Sequence, residues 1–134
     1  MTPVLVDSNV LLDVLTDDPA WGAWSAARLA ELGDSSVLVL NALIYAEVSL
    51  FFERIEDLEA ALPPDLYRRE SLPFEAAFLA GKCFVRYRRR GGSRRSPLPD
   101  FYVGAHAAVA GHRLLTRDAR RYRDYFPTVE LIAP

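Results

Sequence analysis

The sequence predicts an α/β fold, a three-layer α/β/α sandwich around a central, mostly parallel sheet of four to five strands. Three observations carry that prediction. Short, wholly apolar runs such as Pro3-Val4-Leu5-Val6 and Val37-Leu38-Val39-Leu40 suit strands buried on both faces of a parallel sheet. Segments with helical spacing separate these runs, as crossovers between parallel strands require. The 134 residues suit one domain, 1–134, with one core, and contain no internal repeat or domain boundary.

The first strand ends at Asp7, and Val10, Leu11, Val14 and Leu15 then have helical spacing with Asp13 on the other side. Asp17-Asp18-Pro19 stops this helix and starts a second, with Asp18 as the N-cap and Pro19 in the first turn. The second helix is expected to bury Trp21 or Trp24 with Ala27 and Leu32, and to end at Gly33. After the strand at 37–40, Asn41 caps a helix running through Ala46, Glu47 and Leu50 toward Glu53, and a charged helical stretch follows to Pro63-Pro64. Arg69 to Leu72 reads as a short edge strand. Pro73 opens a long helix whose apolar spacing is Phe74, Ala77, Phe78, Gly81 and Val85. That helix gives way to Arg88-Arg89-Arg90-Gly91-Gly92-Ser93-Arg94-Arg95, the one flexible-looking segment. Pro97 and Pro99 lead into a small-residue helix from Asp100 to Gly111. A strand over 113–116, a short basic helix and a last strand over 129–132 complete the chain.

Composition excludes several classes. With 51% hydrophobic and 25% charged residues the chain is an ordinary globular one. The single Cys83 cannot form an internal disulfide and reads as a small buried hydrophobe. His106 and His112 have no Cys pair nearby, which argues against a structural zinc site. Asp7 comes too early for a secretory signal, and Asn41 and Glu47 interrupt the apolar stretch over 35–52, so a cytoplasmic protein without a membrane partner is expected. The net charge of −2 hides an asymmetry: residues 1–81 carry 14 acids and 4 bases, whereas residues 82–123 carry 12 bases and only Asp100 and Asp118 as acids. The basic half suits a polyanion or an acidic partner, and the acidic half suits cations or solvent.

Four acids stand out. Ligands of parallel sheets bind at the carboxyl ends of the strands. Asp7 follows the first strand, and Asp118 closely follows Leu114-Leu115-Thr116. Asp100 lies at a helix start, where the dipole favours the ionised form. Taken singly, these three are ordinary helix caps or N-terminal charges. Glu47 is harder to explain that way, because it is the one charge in an apolar run and an unpaired buried carboxylate costs several kcal/mol, roughly. Clustered carboxylates repel one another, so a hard divalent cation is their natural partner. Such an ion lowers the pKa of a water and polarises a phosphorus centre, which is a design for phosphodiester hydrolysis. Rival α/β readings fail on residues. The turn Asp7-Ser8-Asn9-Val10 lacks the glycines of a dinucleotide fold, position 9 is Asn where a haloacid-dehalogenase-type phosphatase needs a second Asp, and the only Lys, Lys82, sits mid-helix rather than late in the sheet as a receiver domain needs.

Together these segments resemble a PIN domain, and specifically the VapC-type toxin ribonucleases of toxin–antitoxin pairs. The resemblance rests on Val4-Leu5-Val6-Asp7-Ser8-Asn9-Val10-Leu11-Leu12, then Ala46-Glu47-Val48. It continues through Leu98-Pro99-Asp100-Phe101-Tyr102-Val103-Gly104-Ala105-His106-Ala107 and Leu114-Leu115-Thr116-Arg117-Asp118, and on to Tyr122, Phe126-Pro127 and 129–132. It implies a compact α/β/α sandwich in which Asp7, Glu47, Asp100 and Asp118 are catalytic and bind Mg²⁺ or Mn²⁺ for RNA cleavage, Asp7 and Asp100 most directly. Ser8, Asn9 and Thr116 would be donors orienting those carboxylates or a water. The implied partners are an RNA substrate and a cognate antitoxin. Arg86, Arg88, Arg89, Arg90, Arg94 and Arg95 would contact phosphates or an acidic antitoxin tail, with Tyr87 or Tyr102 stacking on an unpaired base. Adjacent Phe51 and Phe52 cannot both face inward, which leaves one for a homodimer or antitoxin groove. The alternative is a non-catalytic PIN-fold module that binds RNA or a protein.

Overall fold

The computed structural model describes residues 2–95 and 98–134, so the expectation for Pro97 lies outside the described residues. Five short strands form the sheet: β1 (Val4–Val6), β2 (Leu38–Leu40), β3 (Tyr67–Arg69), β4 (Arg113–Leu115) and β5 (Leu131–Ile132). Their spatial order is β3-β2-β1-β4-β5, and every pairing is parallel. Helices α1 (Ser8–Leu15), α2 (Gly22–Ser35), α3 (Ala42–Ser49), α4 (Ile55–Ala61), α5 (Phe74–Arg89), α6 (Pro99–Ala110) and α7 (Arg120–Tyr125) flank it. The central strands β1 and β2 are buried at every residue, because helices cover both faces, and this is why their sequences are apolar without alternation.

The register fixes the functional edge. Val6 pairs with Leu115, and the Asp7 amide donates to the Leu115 carbonyl at 2.9 Å. The chain leaves β1 at Asp7 and β4 at Thr116 side by side. Asn41, the residue after β2, caps α3 as expected, its side-chain oxygen accepting from the Ile44 amide at 3.0 Å. Pro99 and Asp100 open α6, and Gly111 closes it in the left-handed conformation at φ +72°. Gly104 lets α6 lie against the Phe126 ring; a β-carbon there would come within 2.3 Å of it.

Several boundaries differ from expectation. The edge strand lies at 67–69, earlier than 69–72, because Tyr67 buries its ring and pairs with Leu38. The last strand shortens to 131–132, with Val129 buried ahead of it. Asp18 does not cap α2; its carboxylate accepts from the Ala20 and Trp21 amides and closes a turn, so Pro19 precedes the helix, which runs past Gly33 to Ser35. Ala27 is exposed and both tryptophans are only half-buried, and the buried residue of α2 is Ser25. Helix α3 stops at Ser49, short of Glu53.

The largest difference concerns α5. Its stripe of Phe74, Phe78 and Val85 faces outward, with Phe74 91% and Phe78 67% exposed. The inward stripe is Ala76, Ala80 and Cys83, small side chains that admit α6 closely. The helical period is present on both faces, and periodicity alone does not say which face turns inward. Arg88 and Arg89 are still helical, and the following segment is a defined turn: Gly92 donates to the Tyr87 carbonyl and Arg88 to the Arg94 carbonyl. Phe52 packs on the core and Phe51 is exposed, as their adjacency demands. No helix among the described residues is long and apolar enough to cross a membrane.

Candidate active site

Asp7 is 4% exposed and works first as the cap of α1, its Oδ1 accepting from the Ser8 amide at 2.8 Å. Its Oδ2 is crowded by neutral donors: the Tyr122 hydroxyl at 2.8 Å, the Thr116 hydroxyl at 2.9 Å and the Asn9 amide at 3.4 Å. Asn9 in turn accepts from the Arg117 amide at 3.1 Å, tying the end of β1 to the loop after β4. The Ser8 hydroxyl donates to Glu47 on α3 at 3.1 Å. Asp100, in the first turn of α6, meets two consecutive residues of α7. Its Oδ1 lies 3.3 Å from the Tyr122 hydroxyl and its Oδ2 3.4 Å from an Arg121 guanidinium nitrogen. Asp118 stands at the rim, 59% exposed and 3.6 Å from Arg120.

The fold thus brings Asp7, Glu47 and Asp100 together, sets Asp118 beside them, and surrounds them with Ser8, Asn9 and Thr116. The electrostatics follow from burial and like charge. Burial pushes the Asp7 carboxyl up to about 6, and the Asp100 and Glu47 charges add to this against the Tyr122 and Thr116 hydrogen bonds. Glu47 is raised by burial and by Asp100, against the Ser8 hydrogen bond. Asp100 is raised by burial and by Asp118, although Arg121 and Tyr122 oppose the shift. Burial and the surrounding acids hold the Tyr122 phenol well above its ordinary value, so it is a neutral donor. An all-oxygen set of mutually repelling carboxylates fits a hard divalent cation such as Mg²⁺ or Mn²⁺.

Sequence reasoning missed Arg120 and Arg121, and gave Tyr122 no role. With Tyr87, Asp100, Asp118, Asp124 and Tyr125, the two arginines line an open pocket of about 390 Å³ beside the acids. Local spacing held no signal for Arg121 or Tyr122, because their acidic partners lie 21 or more positions away. The predicted arginines are more dispersed. Arg86 and Arg90 lie over the Tyr125 ring at 5.1 and 5.0 Å, and Arg90 pairs with Asp124 at 2.6 Å. Arg88 is tied to its own turn, while Arg89, Arg94 and Arg95 are exposed. The Tyr87 ring packs against Phe84 and Phe101 and still lines the open pocket, and Tyr102 is half-buried against the core.

His106 and His112 meet an acid. Both Nε2 atoms converge on Glu70 Oε1, at 3.3 and 2.7 Å, close enough for the three groups to share an ion. Asn41 decides what His106 does there. Its oxygen is committed to the Ile44 amide, so its amide nitrogen donates to His106 Nδ1 at 3.0 Å. The proton of His106 therefore sits on Nε2, facing Glu70, where a metal would need a lone pair. The cluster is a hydrogen-bonded tie between β3, α6 and β4.

The profile of the PIN domain family matches residues 4–126, and the chain belongs to that family. No curated protein sequence matches it. Among solved structures it is similar to VapBC2 from Rickettsia felis bound to a promoter DNA fragment, with a TM-score of 0.74 at 13% identity over 98% of both chains. It is also similar to VapBC-1 from nontypeable Haemophilus influenzae, with a TM-score of 0.72 at 16% identity over 98% of this chain and 97% of that one. DNA-bound VapBC from Salmonella typhimurium gives 0.71 at 17% identity over 99% and 98%. At these identities the likeness is one of fold.

Proposed function

We propose that this chain is a metal-dependent endoribonuclease, the toxin of a VapBC-like toxin–antitoxin pair acting in the cytoplasm. One observation carries the proposal: Asp7, Glu47 and Asp100 are gathered at the carboxyl edge of the sheet with raised pKa values, and among the described residues Arg121 is the only cation hydrogen-bonded to any of them. Such a site is incomplete without positive charge. Asp7 and Asp100 would hold Mg²⁺ or Mn²⁺, with Glu47 and Asp118 completing the acid set. When bound, the ion supplies an activated water and charge stabilisation at phosphorus.

The chain's own residues do the rest. Thr116, Tyr122 and Asn9 hold Asp7 in one orientation, and Ser8 does the same for Glu47. Arg120 and Arg121 border the pocket where a phosphate backbone would lie, and Arg86 and Arg90, over the Tyr125 ring of the same pocket, would extend that surface. The antitoxin partner is supported by the neighbours of similar fold, which are VapBC complexes. Exposed Phe51 is offered to that partner or to a second copy of the chain.

The test is cleavage of RNA by the purified chain. Activity is expected with Mg²⁺ or Mn²⁺, absent in EDTA, and reduced more than about 100-fold in folded Asp7→Asn and Asp100→Asn. Unchanged cleavage in either variant overturns the assigned chemistry. Retained RNA or antitoxin binding without hydrolysis in either metal would make the chain a non-catalytic binding module.

A further inference from the structure

We infer that Arg121 is an exchangeable clamp: it occupies Asp100 while the acid site lacks a metal ion, and turns to a phosphate of the nucleic-acid strand when the ion takes its place. The inference rests on the metal-site reading above and adds to it a residue that couples the ion to the substrate.

The contact itself is loose. A single guanidinium nitrogen reaches Asp100 Oδ2 at 3.4 Å, and the side chain is 39% exposed. Arg117 makes a different kind of contact with Asp13, gripping both carboxylate oxygens at 2.9 and 3.1 Å. A long, one-point bond is weak, and a guanidinium suited to bidentate recognition is underused by it. Arg121 is not held by that bond alone. In the same position its guanidinium carbon lies 5.9 Å from the Tyr87 ring centre and 5.8 Å from that of Phe101, so two aromatic rings would still support the charge if the carboxylate were withdrawn. The same side chain lines the open 390 Å³ pocket next to Asp118 and Arg120.

Charge dictates the exchange. Asp100 turns Oδ1 to the Tyr122 hydroxyl that it shares with Asp7 and Oδ2 to Arg121, so an ion held among these acids would draw on the same carboxylate that Arg121 holds. A divalent cation there would repel the guanidinium and compete with it for that carboxylate's charge. The freed group keeps its five N–H donors and faces solvent beside the acids, where a phosphate oxygen is the matching acceptor. Ion and Arg121 thus compete for Asp100, while ion and phosphate assist each other through Arg121. By linkage, each must raise the affinity of the other by the same factor.

The experiment compares wild type, Arg121→Gln and Arg121→Lys. Mn²⁺ binding is measured by calorimetry, and binding of a cleavage-resistant phosphorothioate RNA octamer is measured against salt in EDTA and in Mn²⁺. Arg121→Gln is expected to bind Mn²⁺ about 2- to 5-fold more tightly, as loss of a part-exposed ion pair allows. In Mn²⁺ its salt dependence of RNA binding should be shallower than wild type by about 0.7 in log–log slope, one phosphate contact on a single strand, with little difference in EDTA. Arg121→Lys keeps the charge and should restore both values toward wild type, which separates the effect from misfolding. Unchanged or weaker Mn²⁺ binding in Arg121→Gln overturns the exchange. So does a slope change equal with and without metal, which would make Arg121 a plain surface phosphate contact. A wild type that binds Mn²⁺ and RNA and shows these opposed shifts without cutting RNA would sustain the exchange and sink the nuclease reading alone. A wild type that binds no Mn²⁺ overturns both.

Discussion

Asp7 and Asp13 lie six residues apart and are both buried, 4% and 2% exposed, yet the fold treats them in opposite ways. Asp13 is fully compensated: Arg117 grips both oxygens and Ser25 of α2 donates a third hydrogen bond at 2.8 Å. Asp7 receives only neutral donors and faces two further carboxylates. A buried acid matched by a cation fastens structure, here α1 to α2 and to the loop after β4. A buried acid left with like charges is held at a cost, which a bound cation would offset on the function proposed above. The Glu70 cluster stands between these cases, with donors on both oxygens but partial exposure.

This contrast makes opposite predictions for stability. The largest effect belongs to Asp13→Ala, which removes the shared acceptor of the buried Ser25 hydroxyl and the part-exposed Arg117. It should lose about 3–5 kcal/mol in urea unfolding. A loss under 1 kcal/mol would show that the pair fastens nothing.

Asp7→Asn should go the other way and stabilise the metal-free protein. The folded pKa of about 6 lies above the ordinary 3.8, so between those values the folded chain holds a proton that the unfolded chain has released. Stability therefore falls as pH rises through that window. At about 1.4 kcal/mol per pKa unit, the Asn variant should gain up to about 3 kcal/mol at pH 8, and the advantage should vanish below about pH 4. Thermal melts across pH in EDTA read this directly, and a destabilised variant at pH 8 would break the comparison.

The smallest effect is expected for Glu70→Gln. Burial pushes this carboxyl up, but His112 and Arg68 more than offset it and leave the pKa lowered. A lowered folded pKa means that the contribution is fully present above the unfolded value near 4.5 and is lost as pH falls from there through the lower folded value. A cost of about 1–2 kcal/mol at pH 7 that shrinks toward pH 4 is the expected signature in the same melts.

Much of this was legible in one dimension. The apolar runs at 3–6 and 37–40 announced central strands because strands covered on both faces cannot alternate. Asn41 and Pro99 announced helix starts through local chemistry that needs no distant partner. Asp7, Glu47, Asp100 and Asp118 could be singled out because each breaks a local rule, follows a strand end or opens a helix. Asp18 misled for the same reason: an Asx turn and an N-cap use the same side chain and the same short reach.

What sequence alone determined was therefore the order of elements and a short list of candidate acids, both readable from near neighbours along the chain. Tertiary structure alone decided which face of α5 turned inward, since small residues on one side and phenylalanines on the other have the same period. It also decided that Asp13 finds Arg117 across 104 positions while Asp7 finds only hydroxyls, amides and like charges. Whether a buried carboxylate is a rivet or a site depends on which charge lies within a few ångströms in space. The pairing of β1 with β4 sets that proximity here, by bringing the loop after β4 to the end of β1.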